Sequence, residues 1–319
     1  MHNEKQNNSS SLRQGLGCRA KTLALVLSAM SLAAVAQAAP KAPWPVTLRE
    51  QATRLADAGF RIGRTAAPLC PATAAGSGIA IDYIEAYNAA DRPAVARLLG
   101  LTRAPQVAAV ASGGPAAGAD VRSGDEILAI NGVTAESLRT RSPSPALFAD
   151  ELEQRIADLP SSVPVVLALR RSGKRIAVSF VPVPVCAVRF VIKADPAVAA
   201  YTDGHNVAVT SGLIGFTRND DELALVLGHE TGHIIHGDGD HAGAGRTERR
   251  LMEDRADATG LQLTGCAGYD LETALQYRLR RAASRPLEGL FQGDHRPSRA
   301  RATRMRKLAP LVTCPPDAQ

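Results

Sequence analysis

The order of apolar and polar positions divides the chain into helical and extended stretches. Apolar residues three or four apart predict helices over residues 47–60 and 79–100. Residues 148–159 show the same amphipathic spacing and predict a further helix. Apolar and polar residues alternate over residues 163–170 and 175–181, which predicts two strands. Together these pieces predict an α+β fold.

One stretch combines short strands with tight turns. The segment GGPAAGADVRSGDEILAINGV, residues 113–133, follows a strand candidate at 107–111 and contains the hairpin turn Asn131-Gly132. This segment closely resembles the most recognisable part of bacterial-type PDZ domains. The resemblance extends over roughly residues 90–185.

The PDZ resemblance implies a β-rich, PDZ-like domain over residues 90–185, ahead of residues 186–319. Such a domain has a groove that takes an extended peptide, often a C-terminus, as an added strand. The peptide carboxylate would lie on backbone N–H groups near Leu98 to Leu101. The alternative is a PDZ fold that serves as a spacer and binds no ligand.

The N-terminal 38 residues have the order of a secretory signal peptide. Basic residues precede an apolar run over residues 23–35, and the small residues Ala36 and Ala38 follow at a cleavage spacing. A transmembrane anchor is the alternative, but a span needs roughly 20 apolar residues. We therefore expect cleavage near Ala38, a periplasmic or secreted protein, and a helical segment over residues 39–89.

Removal of the signal peptide halves the net positive charge of the chain and leaves most of the remaining charge near the C-terminus. Residues 1–38 hold four basic residues and one acidic residue, so cleavage lowers the formal net charge from +6 to +3. A C-terminal basic cluster has no interleaved aromatics, which together with export excludes a nucleic-acid partner. We expect a solvated helix face, with a peripheral membrane or outer-membrane assembly contact as the alternative. The cluster comprises Arg278, Arg280, Arg281, Arg285, Arg296, Arg299, Arg301, Arg304, Arg306 and Lys307.

Cleavage also removes one of the five cysteines. The other four indicate two disulfides in an oxidising compartment, with free buried thiols as the alternative. Three pairings are possible. The domain layout favours Cys70 with Cys186 and Cys266 with Cys314, because each pair would close one region.

The strongest chemical signal is the segment HETGH, residues 229–233. Asn219 predicts a helix start upstream of it, and Glu222 three residues later completes a capping-box pattern. Histidines four residues apart lie on one face of a helix. The imidazoles of His229 and His233 are therefore placed to bind one zinc ion.

Two glutamates complete the predicted chemistry. Glu230 lies between the histidines, where it can act on a zinc-bound water. Glu253 follows in a helical stretch over residues 247–263 and would give a His-His-Glu set with one open position, as in catalytic zinc sites. A charged surface helix is the alternative for HExxH alone, but it leaves the third ligand unexplained. We expect one Zn²⁺ per chain.

These residues resemble the zinc metalloproteases related to the CAAX prenyl endopeptidases, especially their soluble periplasmic bacterial members. The family pattern is HExxH followed by Glu-x-x-Ala-Asp, which residues 253–257 match. The resemblance implies a mostly helical, gluzincin-type protease domain over residues 186–319. It also implies that Glu253 is the third ligand and that Asp257 orients His229 or another ligand.

The same resemblance extends to both sides of the zinc motif. Upstream, residues 201–204 and 207–213 resemble the family's strand beside the cleft, with which a substrate would pair. Downstream, His295 and Arg301 resemble the family's His-Pro-Ser stretch and its later arginine, although Arg296 intervenes. The resemblance implies that His295 hydrogen-bonds an oxyanion and that Arg301 supports the site. Exposed basic residues are the alternative.

His236 and the Gly-rich stretch 237–245 have several interpretations. His236 lies three residues after His233. It is either a fourth ligand, a residue at the rim of the cleft, or a solvent-exposed side chain. The Gly-rich stretch is either a lid or a plain connector.

Two functions fit this set of features. The first is a zinc endopeptidase of the cell envelope that cleaves exported, misfolded or unassembled polypeptides and recruits them through the PDZ-like groove. The alternative is a non-proteolytic peptide-binding or chaperone-like module with a latent or structural zinc site. The complete set of motifs favours the enzyme.

Overall fold

The computed structural model describes residues 42–238, 244–284 and 296–314. The predicted signal peptide, His295 and the middle of the Gly-rich stretch lie outside the described residues. The fold is mixed α and β. No helix in the described ranges has the length and apolarity that a membrane span requires.

Ten α-helices and eleven strands are described. The helices are α1 (Trp44–Ala66), α2 (Arg92–Leu99), α3 (Pro115–Gly118), α4 (Ala135–Arg139), α5 (Phe148–Ala157), α6 (Ser211–Phe216), α7 (Asp220–Ile235), α8 (Arg246–Cys266), α9 (Leu271–Ser284) and α10 (Ser298–Leu308). The strands are β1 (Thr73–Gly76), β2 (Ile79–Asp82), β3 (Gln106–Val110), β4 (Glu126–Ile130), β5 (Val133–Thr134), β6 (Val165–Arg171), β7 (Lys174–Phe180), β8 (Val183–Cys186), β9 (Arg189–Lys193), β10 (Ala200–Thr202) and β11 (Asn206–Thr210).

Residues 79–180 form a β-rich unit, which we call the sheet module. Its strands lie in the order β2-β3-β4-β6-β7, and β5 pairs with β4. Asn131 and Gly132 both have positive φ, as a tight hairpin turn requires, which confirms the predicted Asn-Gly turn. The predicted strands at 163–170 and 175–181 are confirmed as β6 and β7, with α5 packed over the core of the module.

The helix predicted over residues 79–100 is wrong in its first half. Ile79–Asp82 is a strand, and a short 3₁₀ turn over Ile84–Ala86 follows before α2 begins. β-Branched residues at alternate positions favour a strand, and the turn that follows mimics helical spacing. The segment over residues 39–89 is therefore a long helix followed by two strands.

The position predicted for the peptide carboxylate, Leu98 to Leu101, is not beside an edge of this sheet. Leu98 and Leu99 lie in α2, and the next strand, β3, pairs with β2 on one side and β4 on the other. An added strand needs an unpaired edge. The edges of the sheet are β2 and β7.

The second part of the chain is mostly helical. A three-stranded sheet, ordered β10-β11-β9, packs with α1, α6 and α7 around a buried apolar core. A smaller cluster, centred on Leu225, Leu261 and Met305, joins α7, α8, α9 and α10. This arrangement places α7 between the sheet and the last three helices.

Helix α1 connects the two parts of the structure. A methyl group added at Gly59 would lie 2.7 Å from Cδ2 of Phe190, so α1 and β9 approach closely only because residue 59 is glycine. Asp57 accepts two 2.6 Å hydrogen bonds from Ser112, one from its amide and one from its hydroxyl. Arg49 forms an ion pair with Asp82 of β2.

The structure contains the two disulfides that the domain layout favours. Cys70 bonds to Cys186, 116 residues later, and Cys266 bonds to Cys314, 48 residues later. The first links the end of α1 to β8, and the second links the end of α8 to the segment after α10. Two disulfides indicate an oxidising compartment.

Candidate metal centre

The start of α7 is fixed on three sides. The side chain of Asn219 accepts from the amide of Glu222, as the sequence predicts, while the Glu222 carboxylate accepts from the amide of Arg218 and pairs with Arg280. Arg54 of α1 donates to the carbonyl of Asn219 at 2.8 Å. These contacts hold the N-terminal end of the helix that carries both histidines.

Helices α7 and α8 cross at unusually short range because the contact residues are small. A methyl group added at Gly260 would lie 2.6 Å from the backbone nitrogen of His229. One added at Gly232 would lie 3.0 Å from the carbonyl oxygen of Ala256. This contact brings Glu253 of α8 up to the histidine face of α7.

His229, His233 and Glu253 converge at this crossing. Each offers one ligand atom, and these atoms all lie within 4.8 Å of one another. Nε2 of His229 is 3.4 Å from Oε2 of Glu253, and Nε2 of His233 is 3.4 Å from Oε1 of the same carboxylate. All three side chains are buried.

Each histidine has a second carboxylate on its other ring nitrogen. Nδ1 of His229 lies 3.1 Å from Oδ1 of Asp257, and Nδ1 of His233 lies 3.1 Å from Oδ2 of Asp238. A carboxylate on Nδ1 fixes the tautomer and leaves Nε2 available as a metal ligand. Both Nε2 atoms therefore face the Glu253 carboxylate, and Nη2 of Arg301 also lies 3.3 Å from Nε2 of His229.

Asp238 was not predicted from the sequence. Gly237 has φ +67° directly after α7, and the amide of Asp238 donates to the carbonyl of His233 at 2.9 Å. This is the Schellman ending of a helix, which turns the chain back on its last turn. The dipeptide Gly237-Asp238 after a histidine helix is the signal that could have identified this residue.

Asp257 is held by two buried arginines. Arg301 of α10 donates Nε at 2.8 Å and Nη2 at 2.6 Å, and Arg278 of α9 donates Nη2 at 3.2 Å. Burial alone would raise the pKa of Asp257, but Arg301 and Arg278 outweigh it and hold this pKa well below its usual value. Asp257 therefore stays ionised and can accept from Nδ1 of His229.

The electrostatics of the cluster favour a cation. Burial lowers the pKa of His233, but Glu253, Asp238 and Glu230 together raise it above its ordinary value. Arg255 and His233 outweigh burial at Asp238 and lower the pKa of that carboxyl. The carboxylates around His233 therefore stabilise positive charge at this position.

The donor set fits zinc. Zinc accepts imidazole nitrogen and carboxylate oxygen, and sites with three protein ligands leave a position for water or substrate. His229, His233 and Glu253 supply these donors, and each imidazole has the carboxylate partner typical of zinc-bound histidine.

Of the other predicted residues, one lies beside the metal cluster, one lies outside it and one is not among the described residues. Glu230 is buried on α7 and close enough to raise the pKa of both His233 and Arg301. His236 is exposed, and its Nε2 lies 2.8 Å from the hydroxyl of Thr259, so it is not part of the metal cluster. His295 lies outside the described residues.

Of the strands predicted to pair with a substrate, one lies in the middle of its sheet and the other lies at an edge. β11, which contains residues 207–210, pairs with β10 on one side and β9 on the other and cannot accept another strand. β10, with Tyr201 exposed, is an edge of this sheet and contacts α7. Of these two predicted segments, β10 is the one that the described residues leave at a sheet edge, where a peptide could pair with it.

The C-terminal basic cluster is only in part the solvated helix face that the sequence predicted: Arg296, Arg299, Arg306 and Lys307 are exposed, but Arg278 and Arg301 are buried. Most of its members form ion pairs, because α7, α8 and α9 present acidic residues towards them. The pairs are Arg278 and Arg301 with Asp257, Arg280 with Glu222, Arg296 and Arg304 with Asp254, and Arg306 with Glu272.

Comparison with known proteins supports a metallopeptidase. The model of peptidase family M48 matches residues 167–245, a range that includes both histidines. Members of this family are typically zinc-dependent. No curated protein matches the chain.

The comparison with solved structures is less informative than the family match. The structure titled "HtrA-type protease AlgW with decapeptide" is similar at 22% identity and a TM-score of 0.27, over 35% of this chain and 30% of that chain. This chain thus spans under a third of that protein. A likeness at this level supports no conclusion about fold or activity.

Proposed function

We propose that this protein is a zinc metalloendopeptidase with His229, His233 and Glu253 as the metal ligands. The observation that carries the proposal is the convergence of these three buried side chains, with a carboxylate behind each imidazole. The match to peptidase family M48 supports the reaction class.

The residues around the ligands have different roles in peptide hydrolysis. When bound, zinc would lower the pKa of a water molecule and polarise the scissile carbonyl. Glu230 takes the proton from the attacking water and passes it to the leaving amine. Asp257 and Asp238 keep the two imidazoles in the metal-binding tautomer, and Arg301 keeps Asp257 ionised.

Two further roles rest on the family resemblance. His295 hydrogen-bonds the oxyanion that forms during attack. A substrate strand pairs with the edge of β10, and the contact of β10 with α7, the helix that carries both histidines, supports this role.

The substrate class follows from the setting. A predicted signal peptide and two disulfides support action in the periplasm or outside the cell. The substrates are then exported polypeptides with an extended segment, which misfolded or unassembled proteins provide.

The test measures zinc content and casein cleavage for the mature chain and for the variant Glu230→Gln. We expect the variant to retain zinc and to lose cleavage by a factor of about 10² to 10⁴. Glu248→Gln, an exposed change on α8, is the matched control and should cleave normally. Unchanged cleavage in Glu230→Gln would reject the mechanism. Zinc binding without any cleavage by the wild type would support the non-proteolytic alternative.

A further inference from the structure

The edge of the sheet module that faces the rest of the protein is β2. Among the described residues, strand β2 pairs with β3 alone, and α5 contacts β2. An unpaired strand beside a helix is the arrangement in which PDZ-like domains add a peptide strand. The question is whether this edge has free hydrogen-bonding groups.

Side chains of the same chain already bind two amides of β2. The amide of Ile81 donates to Oε1 of Glu153 on α5 at 2.6 Å. The amide of Ile79 donates to the hydroxyl of Ser77 at 3.2 Å. Both donors that an added strand would use are therefore bound by side chains of the chain itself.

Other parts of the chain narrow the space beside β2 and α5. A cavity of about 180 Å³ lies there, lined also by residues of α1, β8 and β9. Ligand pockets usually measure roughly 300–1,000 Å³, so the free volume beside β2 is below that range.

Helix α1 covers the turn that precedes β2. A methyl group added at Gly78 would lie 3.7 Å from the ring of Phe60, and one at Gly114 would lie 3.4 Å from it. The amide of Ala111 donates to the carbonyl of Gly78 at 2.7 Å. This turn is thus packed and hydrogen-bonded, and no chain terminus could lie on it without displacing Phe60.

We propose that the β2 groove of the sheet module is permanently occupied by the chain itself. Glu153 takes the hydrogen bond of an added strand, and α1 takes the place of a ligand above it. The groove therefore fixes the module to the rest of the protein and does not capture substrate. Cys70–Cys186 retains α1 in this position, since Cys186 lines the same cavity. This inference does not require metal or proteolysis.

The test compares the mature protein with Glu153→Ala and Glu153→Gln. Amide hydrogen exchange is measured at Ile81, and a phage-displayed pool of random C-terminal heptapeptides is selected against each protein. Glutamine keeps an acceptor oxygen of the same reach, so it is the matched control. We expect slow exchange at Ile81 in the wild type and in Glu153→Gln, and about tenfold faster exchange in Glu153→Ala.

The peptide pool gives an independent readout. We expect the wild type to enrich no peptide that protects residues 79–82 from exchange. Enrichment of such peptides would overturn the proposal, as would unchanged exchange at Ile81 in Glu153→Ala. Neither result depends on zinc or casein cleavage, so a failure here is distinguishable from a failure of the proposed protease activity.

Discussion

Asp238 holds His233 through Nδ1 in the same way that Asp257 holds His229, each across 3.1 Å. One carboxylate comes from the turn after α7 and the other from α8. The two imidazoles are therefore oriented independently, and each partner can be tested alone.

Replacing Asp238 with alanine should weaken zinc binding by roughly 10- to 100-fold, because His233 loses the acceptor that fixes its ring and tautomer. Asp238→Asn should retain most of the affinity, since its amide oxygen can still accept from Nδ1. Competition with a chromogenic zinc chelator measures both. Equal zinc affinity in the wild type and Asp238→Ala would show that this hydrogen bond does not support the metal.

Replacing Gly260 with alanine should destabilise the protein by about 1–3 kcal/mol, because the new methyl group meets the backbone of His229. The separation of α7 and α8 should also weaken zinc binding. Urea unfolding and the chelator assay measure the two effects. Gly118→Ala, where the added methyl group meets no neighbour within 4 Å, is the control and should change neither.

Arg278→Met tests the second arginine on Asp257. Removing it leaves the carboxylate with Arg301 alone, and we expect a loss of about 1–3 kcal/mol in the free energy of unfolding. Arg306→Met breaks an exposed ion pair with Glu272 and should cost less than about 1 kcal/mol. Chemical denaturation compares them, and equal losses would contradict a special role for the buried pair.

The free energy of unfolding should depend on pH through the titration of Glu153. Burial, opposed by the Ile81 amide and Arg189, raises the pKa of this carboxyl to about 7. Between its ordinary pKa of 4.5 and about 7 the folded state binds more protons than the unfolded state, so stability falls as pH rises through this window.

The variant Glu153→Gln cannot titrate at this position. Relative to it, the wild type should lose about 2–3 kcal/mol between pH values of about 4 and 8. Urea unfolding at several pH values measures the difference. Parallel stability profiles for the two proteins would contradict a buried, ionisable Glu153.

The sequence was most informative where a single helix or hairpin carries the signal. Histidine spacing, the Asn219 cap and the Asn131-Gly132 turn are local, and the structure has each where it was expected. The approach of Glu253 to the histidines depends on glycines in two helices, which only the packed fold relates.

The predictions from sequence were wrong or incomplete where contacts between distant parts of the chain determine the local structure. Ile79 and Ile81 lie in a strand because β3 pairs with them, whereas the apolar spacing of the residues that follow is typical of a helix. The C-terminal arginines were predicted to be solvated, because their acidic partners lie on other helices and the sequence alone does not bring them together. Asp238 escaped prediction because its glycine-rich context resembled a connector.

The bond between Cys266 and Cys314 has a consequence for when the site can form. It closes a loop of 48 residues, which includes α9 and α10 and thus both arginines that hold Asp257. A loop of this length restricts the unfolded chain by about 4 kcal/mol. A chain in a reducing compartment lacks that restriction, so the arginine helices are held to the ligand helix most firmly only after oxidation. The redox state of the surroundings thereby affects how stably the site is assembled.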